Sequence, residues 1–291
     1  MAIFQLNNDK LCVKINSHGA ELCSVVSHDT GIEYIWQADP SIWPRHAPHL
    51  FPIVGKLKNG VFKYHSASYP LSQHGFARDL EFSCIKVESD FILFELKASN
   101  QTLQIYPFDF KLHIGFKLTE NKVETIYQVF NQDSNDLYFS IGAHPAFNCP
   151  LQATESVDDY YFLFPDKNSL IIHSINNGLI TRQTKTLELQ HHQLKMTKQL
   201  FEHDALVCMD GQIEEVHLVS QKTKHGVSLN CSKWPFFGIW SKKEEGNFVC
   251  LEPWYGIADH ETTNGNLVEK TGILKLQPSH QFTASFDIRF F

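Results

Sequence analysis

The sequence predicts an all-β protein, built mainly from antiparallel strands in two packed sheets, and three observations carry that expectation. Apolar and polar residues alternate with a period of two over several runs, which is the pattern of a strand with one buried face. Aromatic residues make up 13% of the 291-residue chain, 23 of them Phe, and such side chains pack well on a pleated surface. Turn dipeptides separate the runs, whereas helical spacing is scarce.

Taken in order, Leu11, Val13 and Ile15 point one way between polar neighbours. Asp39-Pro40-Ser41-Ile42-Trp43 suits one short helical turn. Phe91-Ile92-Leu93-Phe94 lacks alternation and fits a strand covered on both faces. Phe110, Leu112, Ile114, Phe116 and Leu118 form the longest alternating run, and after a turn at Glu120-Asn121-Lys122 it resumes with Val123, Thr125, Tyr127 and Val129. Met196 to Phe201 suits a second helical turn. Phe282, Ala284, Phe286, Ile288 and Phe290 close the chain as another strand. Turns are expected at Asn59-Gly60, Asn177-Gly178, Asp210-Gly211, Glu245-Gly246-Asn247 and Asn264-Gly265. With no α/β alternation, repeat or low-complexity linker, residues 1–291 read as one domain.

The formal charge of -7, from 32 acidic and 25 basic residues, argues against a nucleic-acid partner and for a soluble protein. Seven cysteines without a Cys-x-x-Cys pair suit thiols in a reducing compartment. The N-terminal residues lack the pattern of a secretory signal, and no run reaches the roughly 18 apolar residues of a membrane helix. The expectation is a cytoplasmic chain with no membrane contact. His46-Ala47-Pro48-His49 and His191-His192 lack a cysteine or carboxylate at ligand spacing, so no metal is expected.

Three distant segments carry candidate chemistry: Gln73-His74-Gly75-Phe76-Ala77-Arg78, Gly142-Ala143-His144-Pro145-Ala146-Phe147-Asn148 and Cys250-Leu251-Glu252-Pro253-Trp254-Tyr255. Together they offer two histidines and a carboxylate, each beside aromatic residues. Glu252 sits in an apolar run, where an unpaired charge is costly, which favours a paired or functional role. The order and spacing of the segments resemble the aldose 1-epimerase (galactose mutarotase) family. The run Phe51-Pro52-Ile53-Val54-Gly55 before His-Gly-Phe-Ala-Arg resembles its LacX subgroup, known from lactose operons.

The resemblance implies the large twisted antiparallel β-sandwich of the galactose mutarotase type, with its site in an open cleft on one sheet. It implies interconversion of the α and β anomers of a free hexose without a cofactor. By matching segments, Glu252 takes the place of the general base and His144 that of the general acid. His74 matches a second histidine near the ring oxygen, and Asp204 an aspartate that accepts bonds from sugar hydroxyls. Trp254, Trp43 and Phe147 offer faces on which a sugar can stack.

Such a reaction needs an acid and a base suited to neutral pH, and Glu and His start from pKa values of about 4.3 and 6.5. Burial is expected to raise the carboxylate, and the carboxylate to favour the protonated imidazole. The chain departs from the family after Gly55, where Lys56 replaces an expected arginine, an exchange of a planar fork for a point charge. Arg78 is expected to supply that fork, sharing a strand face with His74 and Phe76. The alternatives are a hexose-6-phosphate 1-epimerase, using Arg78, Lys56, Lys58 and Arg45, and a non-catalytic sugar-binding protein on the same fold. The expected assembly is a monomer or a weak homodimer.

Overall fold

The computed structural model describes residues 1–243 and 247–291, so the expected turn at Glu245-Gly246-Asn247 lies largely outside the described residues. Two large antiparallel sheets form the body. The nine-stranded sheet runs, in spatial order, through residues 193–195, 160–163, 215–220, 226–230, 281–290, 122–131, 110–119, 91–97 and 83–87. Strands 179–188, 169–176, 206–208, 236–240, 248–255, 141–143 and 49–50 form the central path of the second sheet, and 146–148 also pairs with 248–255. A three-stranded sheet of residues 3–7, 11–16 and 21–27 adds a flank.

The period-two pattern decides which faces meet. Phe110, Leu112, Ile114, Phe116 and Leu118 are buried, as are Val123, Thr125, Tyr127 and Val129 on the neighbouring strand. The strands pair in register, Phe116 opposite Thr125 and Ile114 opposite Tyr127. From the second sheet, Ile141, Leu206, Phe237, Ile239 and Leu251 join these residues in one continuous hydrophobic core. Burial of this apolar surface is the main favourable term holding the two sheets together.

Strand 91–97 is covered less completely than its apolar run suggests. Ile92 and Phe94 enter the core, while Phe91 and Leu93 remain partly exposed on the other face, packed over Gly115. An α-helix at Asn100–Ile105 also escapes the alternation pattern. It is signalled instead by Ser99 and Thr102, which form a reciprocal capping box at its first turn. The short turn at residues 39–43 and a 3-10 helix at Lys198–Phe201 lie where helical spacing places them. Asn177-Gly178, with φ of 52° and 79°, makes the tight turn joining strands 169–176 and 179–188.

All seven cysteines are free thiols. Among the described residues, no helix is long and apolar enough to cross a membrane.

Candidate active site

The outer face of the second sheet carries the three sequence segments. Strand Phe248–Tyr255 sends Val249 and Leu251 into the core between the sheets. Its alternate residues, including Cys250, Glu252 and Trp254, face the other way, so Glu252 stands on the outer face despite being 2% exposed. Pro253 is tolerated here because the strand changes partner beside it: 248–250 pairs with 146–148, and 254–255 with 141–142. The Leu251 N–H points to that side, bonding Pro145 O at 3.2 Å, so the N–H that Pro253 lacks would enter the gap.

Trp254 lies across two glycines. A Cβ on Gly238 would come within 2.3 Å of its ring, and one on Gly142 within 2.6 Å. Only residues without side chains at both positions let the indole lie flat on the sheet.

His144 follows strand 141–143 and is anchored by its own N–H to Pro48 O at 3.1 Å. Its ring stacks on Trp43, with centroids 5.1 Å apart, and meets Trp240 edge-on at 5.8 Å. His144 Nε2 is 3.2 Å from Glu252 Oε2. This approach is not aligned as a hydrogen bond, since Oε2 lacks a hydrogen-bond partner.

His74 reaches the same place by a different route from the expected strand. His74 and Gly75 both adopt left-handed φ, 67° and 73°, and Ala77–Asp79 is a 3-10 helix. Gly75 is obligatory at this turn, because an added Cβ would lie 2.2 Å from Phe51 O. The turn places the His74 ring edge-on to His144, centroids 5.6 Å apart. The Gly55 N–H donates to His74 Nδ1 at 3.2 Å, which leaves the ring proton on Nε2. The Gln73 amide lies 3.2 Å from Nε2, and with the ring proton there the amide is turned so that its oxygen accepts it.

Burial dominates the electrostatics. It holds Glu252 well above the usual carboxylate range, with the negative charge of Asp204 adding to the rise and the nearby Trp254 indole opposing it. It also pushes His144 down to about 3 and His74 well below its usual value, with Arg78 contributing to both. The expected upward push of Glu252 on His144 is not seen: desolvation of the ring sets the direction.

His74, His144, Glu252, Trp254, Arg78 and Asp204 all line one cavity of ≈ 340 Å³, together with Trp43, Trp240 and Gln73. An aliphatic wall from Ile175, Ile180, Val207, Ile257 and Ala258 completes it. Arg78 donates to Gln73 O at 2.6 Å, and burial with the nearby Arg45 lowers its pKa to about 10. Asp204 is exposed at the rim in a left-handed conformation, φ 85°. Among the described residues, five buried side-chain polar atoms lack a hydrogen-bond partner. Four belong to residues that line this cavity: Arg78 Nε, His144 Nδ1, Glu252 Oε2 and Trp254 Nε1.

Other candidates lie elsewhere. Lys56 is not part of the cavity lining; its Nζ bonds Asn177 O at 2.9 Å, strapping down the Asn177-Gly178 turn. Phe147 belongs to the core between the sheets and offers no face to a ligand. His49 is buried between Tyr127 and Ala20 O, His46 bonds Trp36 O, and His192 bonds Lys167 O. His144, Cys250 and Glu252 each place one potential metal-ligand atom within 4.8 Å of the others, a grouping in which Cys250 carried no sequence signal. Trp240 and the aliphatic wall also went unread, because nothing local distinguishes them from core residues.

The family described as aldose 1-epimerase matches residues 2–274 of the chain. The chromosomal LacX protein of Lactococcus lactis subsp. lactis is 32% identical over 293 residues, covering 98% of each chain. A solved structure described as a galactose mutarotase related enzyme, from Lactobacillus acidophilus, is 35% identical with a TM-score of 0.96, covering 100% of this chain and 97% of that one. A galactose mutarotase-like protein from Lactobacillus casei is 28% identical with a TM-score of 0.91, covering 100% of both chains. On a match across nearly its whole length, the chain belongs to the aldose 1-epimerase family.

Proposed function

We propose that this protein is an aldose 1-epimerase that interconverts the α and β anomers of a free hexose. The observation that carries the reading is the buried Glu252–His144 approach of 3.2 Å in a cavity whose lining residues hold four unpartnered polar atoms, Glu252 Oε2 among them. Two of those atoms, Arg78 Nε and Trp254 Nε1, donate; Glu252 Oε2 accepts when ionised. A sugar hydroxyl does both, so a polyhydroxylated ring can satisfy such a mixture.

Glu252 takes the proton from the hydroxyl at C1, and His144 gives one to the ring oxygen. The ring opens to the aldehyde, the C1–C2 bond turns, and closure reverses both transfers. The pair needs a single proton between them. It rests on Glu252 when both groups are neutral, as burial favours, and on His144 in the reactive form. Two groups this close titrate as a unit. His74, with its proton on Nε2 beside the Gln73 amide, backs His144 on the ring-oxygen side, and Trp254 and Trp43 offer apolar faces. Asp204 and Arg78 hold hydroxyls.

The basic residues favour a neutral sugar over a sugar phosphate. Arg45 is paired with Asp79 at 2.8 Å, Lys56 is bonded to Asn177 O and Lys58 approaches Thr263 O. Arg78 alone of these four lines the cavity, which it shares with the acidic Asp204. Polarimetry of freshly dissolved α-glucose, α-galactose and α-glucose 6-phosphate tests the reading. Faster decay of rotation for a free hexose is expected; no acceleration of any of the three sinks it.

A further inference from the structure

Lys270 and Asp259 are 5% and 4% exposed, and the proposed proton transfers use neither. Lys270 Nζ bonds Asp259 Oδ1 at 2.9 Å and Ile257 O at 2.6 Å. The other carboxylate oxygen of Asp259 accepts the Lys58 N–H at 2.9 Å. The Asp259 backbone N–H donates to Lys56 O at 2.9 Å, and its carbonyl accepts the Ile180 N–H at 2.9 Å. The ion pair ties the loop after Gly55, through Lys58, to Ile257, while the Asp259 main chain adds the start of strand 179–188.

Gly55 is the link to the chemistry. It packs so tightly on Ala258 that an added Cβ would lie 2.5 Å away, and its N–H is the group that donates to His74 Nδ1. Buried ion pairs are often no more stabilising than apolar residues of the same volume, so stability alone does not account for a buried lysine here. A charged pair does fix directions, because each hydrogen bond must be aligned to offset the lost hydration.

We propose that Asp259 and Lys270 are positioning residues: they hold the Gly55 N–H against His74 Nδ1 and so keep the ring proton on His74 Nε2, beside the cavity-lining Gln73. The kinetic consequence rests on the aldose 1-epimerase reading, whereas the histidine tautomer does not. The test is therefore double. In the sugar-free protein, nitrogen NMR of the imidazoles, with the His74 signal identified by its loss in His74→Gln, reports the tautomer. The wild type is expected to show Nε2–H. Asp259→Leu/Lys270→Met removes both charges together, avoiding an unpaired buried ion, and is expected to show a mixture including Nδ1–H.

The same variant is expected to lose about 10–100-fold in kcat, the scale of a displacement near one ångström, with a thermal midpoint near wild type and a smaller change in KM. Lys58→Pro serves if the double variant does not fold. It deletes the N–H that Asp259 accepts, at the second position of the Leu57–Gly60 turn, where proline is favoured, and should shift the tautomer the same way. A folded variant that keeps the Nε2–H tautomer and wild-type kcat overturns the proposal. A shifted tautomer in a protein whose wild type accelerates no mutarotation would uphold the positioning role and sink the catalytic reading instead.

Discussion

Glu252 carries two opposed consequences of its burial. As the proposed base it needs a pKa near the working pH, and burial supplies a rise. Glu252→Gln and His144→Asn should each lower kcat by about 10²–10⁴-fold while sugar binding largely survives. Steady-state polarimetry alongside calorimetric titration of the sugar checks this, and wild-type turnover in either folded variant would refute the assignment. Burial also costs stability. The folded-state pKa of Glu252 lies above the unfolded value of 4.5, so the folded protein is penalised as pH rises from 4.5 through the folded pKa. Glu252→Gln lacks that penalty. Its thermal midpoint should exceed wild type in mildly alkaline buffer, with the advantage vanishing below the unfolded pKa. His144 acts with the opposite sign: lowered from 6.5 to about 3, it costs stability as pH falls through that window. Both residues were recognisable as candidates from their segments. Their pKa directions were half legible, since only the packed structure shows how completely the His144 ring is desolvated.

Strand 248–255 shows how an element converts alternation into a site. The same period that buries Leu251 between the sheets presents Cys250, Glu252 and Trp254 on the outer face. Its neighbour contributes by omission, because Gly238, paired with Glu252, leaves room for the Trp254 ring. Gly238→Ala would force the indole to move, since the added Cβ would sit 2.3 Å from it. A stability loss of about 1–3 kcal/mol is expected for such overpacking. KM for the sugar should rise more than kcat falls, as measured by denaturant unfolding and initial rates. An unchanged KM would mean that Trp254 does not contact the sugar. The turn at His74 teaches the converse. Residues 74, 76 and 78 look like strand positions, yet the left-handed pair His74-Gly75 and the 3-10 helix after it bring His74 and Arg78 to the cavity. The Phe51 carbonyl that demands glycine at 75 is distant in sequence and invisible to local pattern.

At the scale of the molecule, charge bears on substrate choice. A net charge of -7, with Asp204 at the cavity and Arg45 already paired with Asp79, favours the proposed neutral sugar over a dianion. A free hexose should show a higher kcat/KM than its 6-phosphate, and its rate should change little with added salt, because a neutral substrate gains nothing from steering. A kcat/KM that favours the phosphorylated sugar, falls steeply with salt and is lost in Arg78→Ala would establish the opposite preference.

The sequence by itself determined the strand class, the buried faces of residues 110–129 and the three segments, since alternation and residue chemistry are local properties of the chain. It also marked Arg78 and Asp204, both of which line the cavity. Only the tertiary structure decided that Lys56 ties down a turn and Phe147 belongs to the core. It alone joined Trp240, Cys250 and the aliphatic wall to the site, and Asp259–Lys270 to His74 through Gly55. The physical reason is that desolvation and hydrogen-bond direction depend on neighbours distant in the chain, which come together only when the two sheets pack.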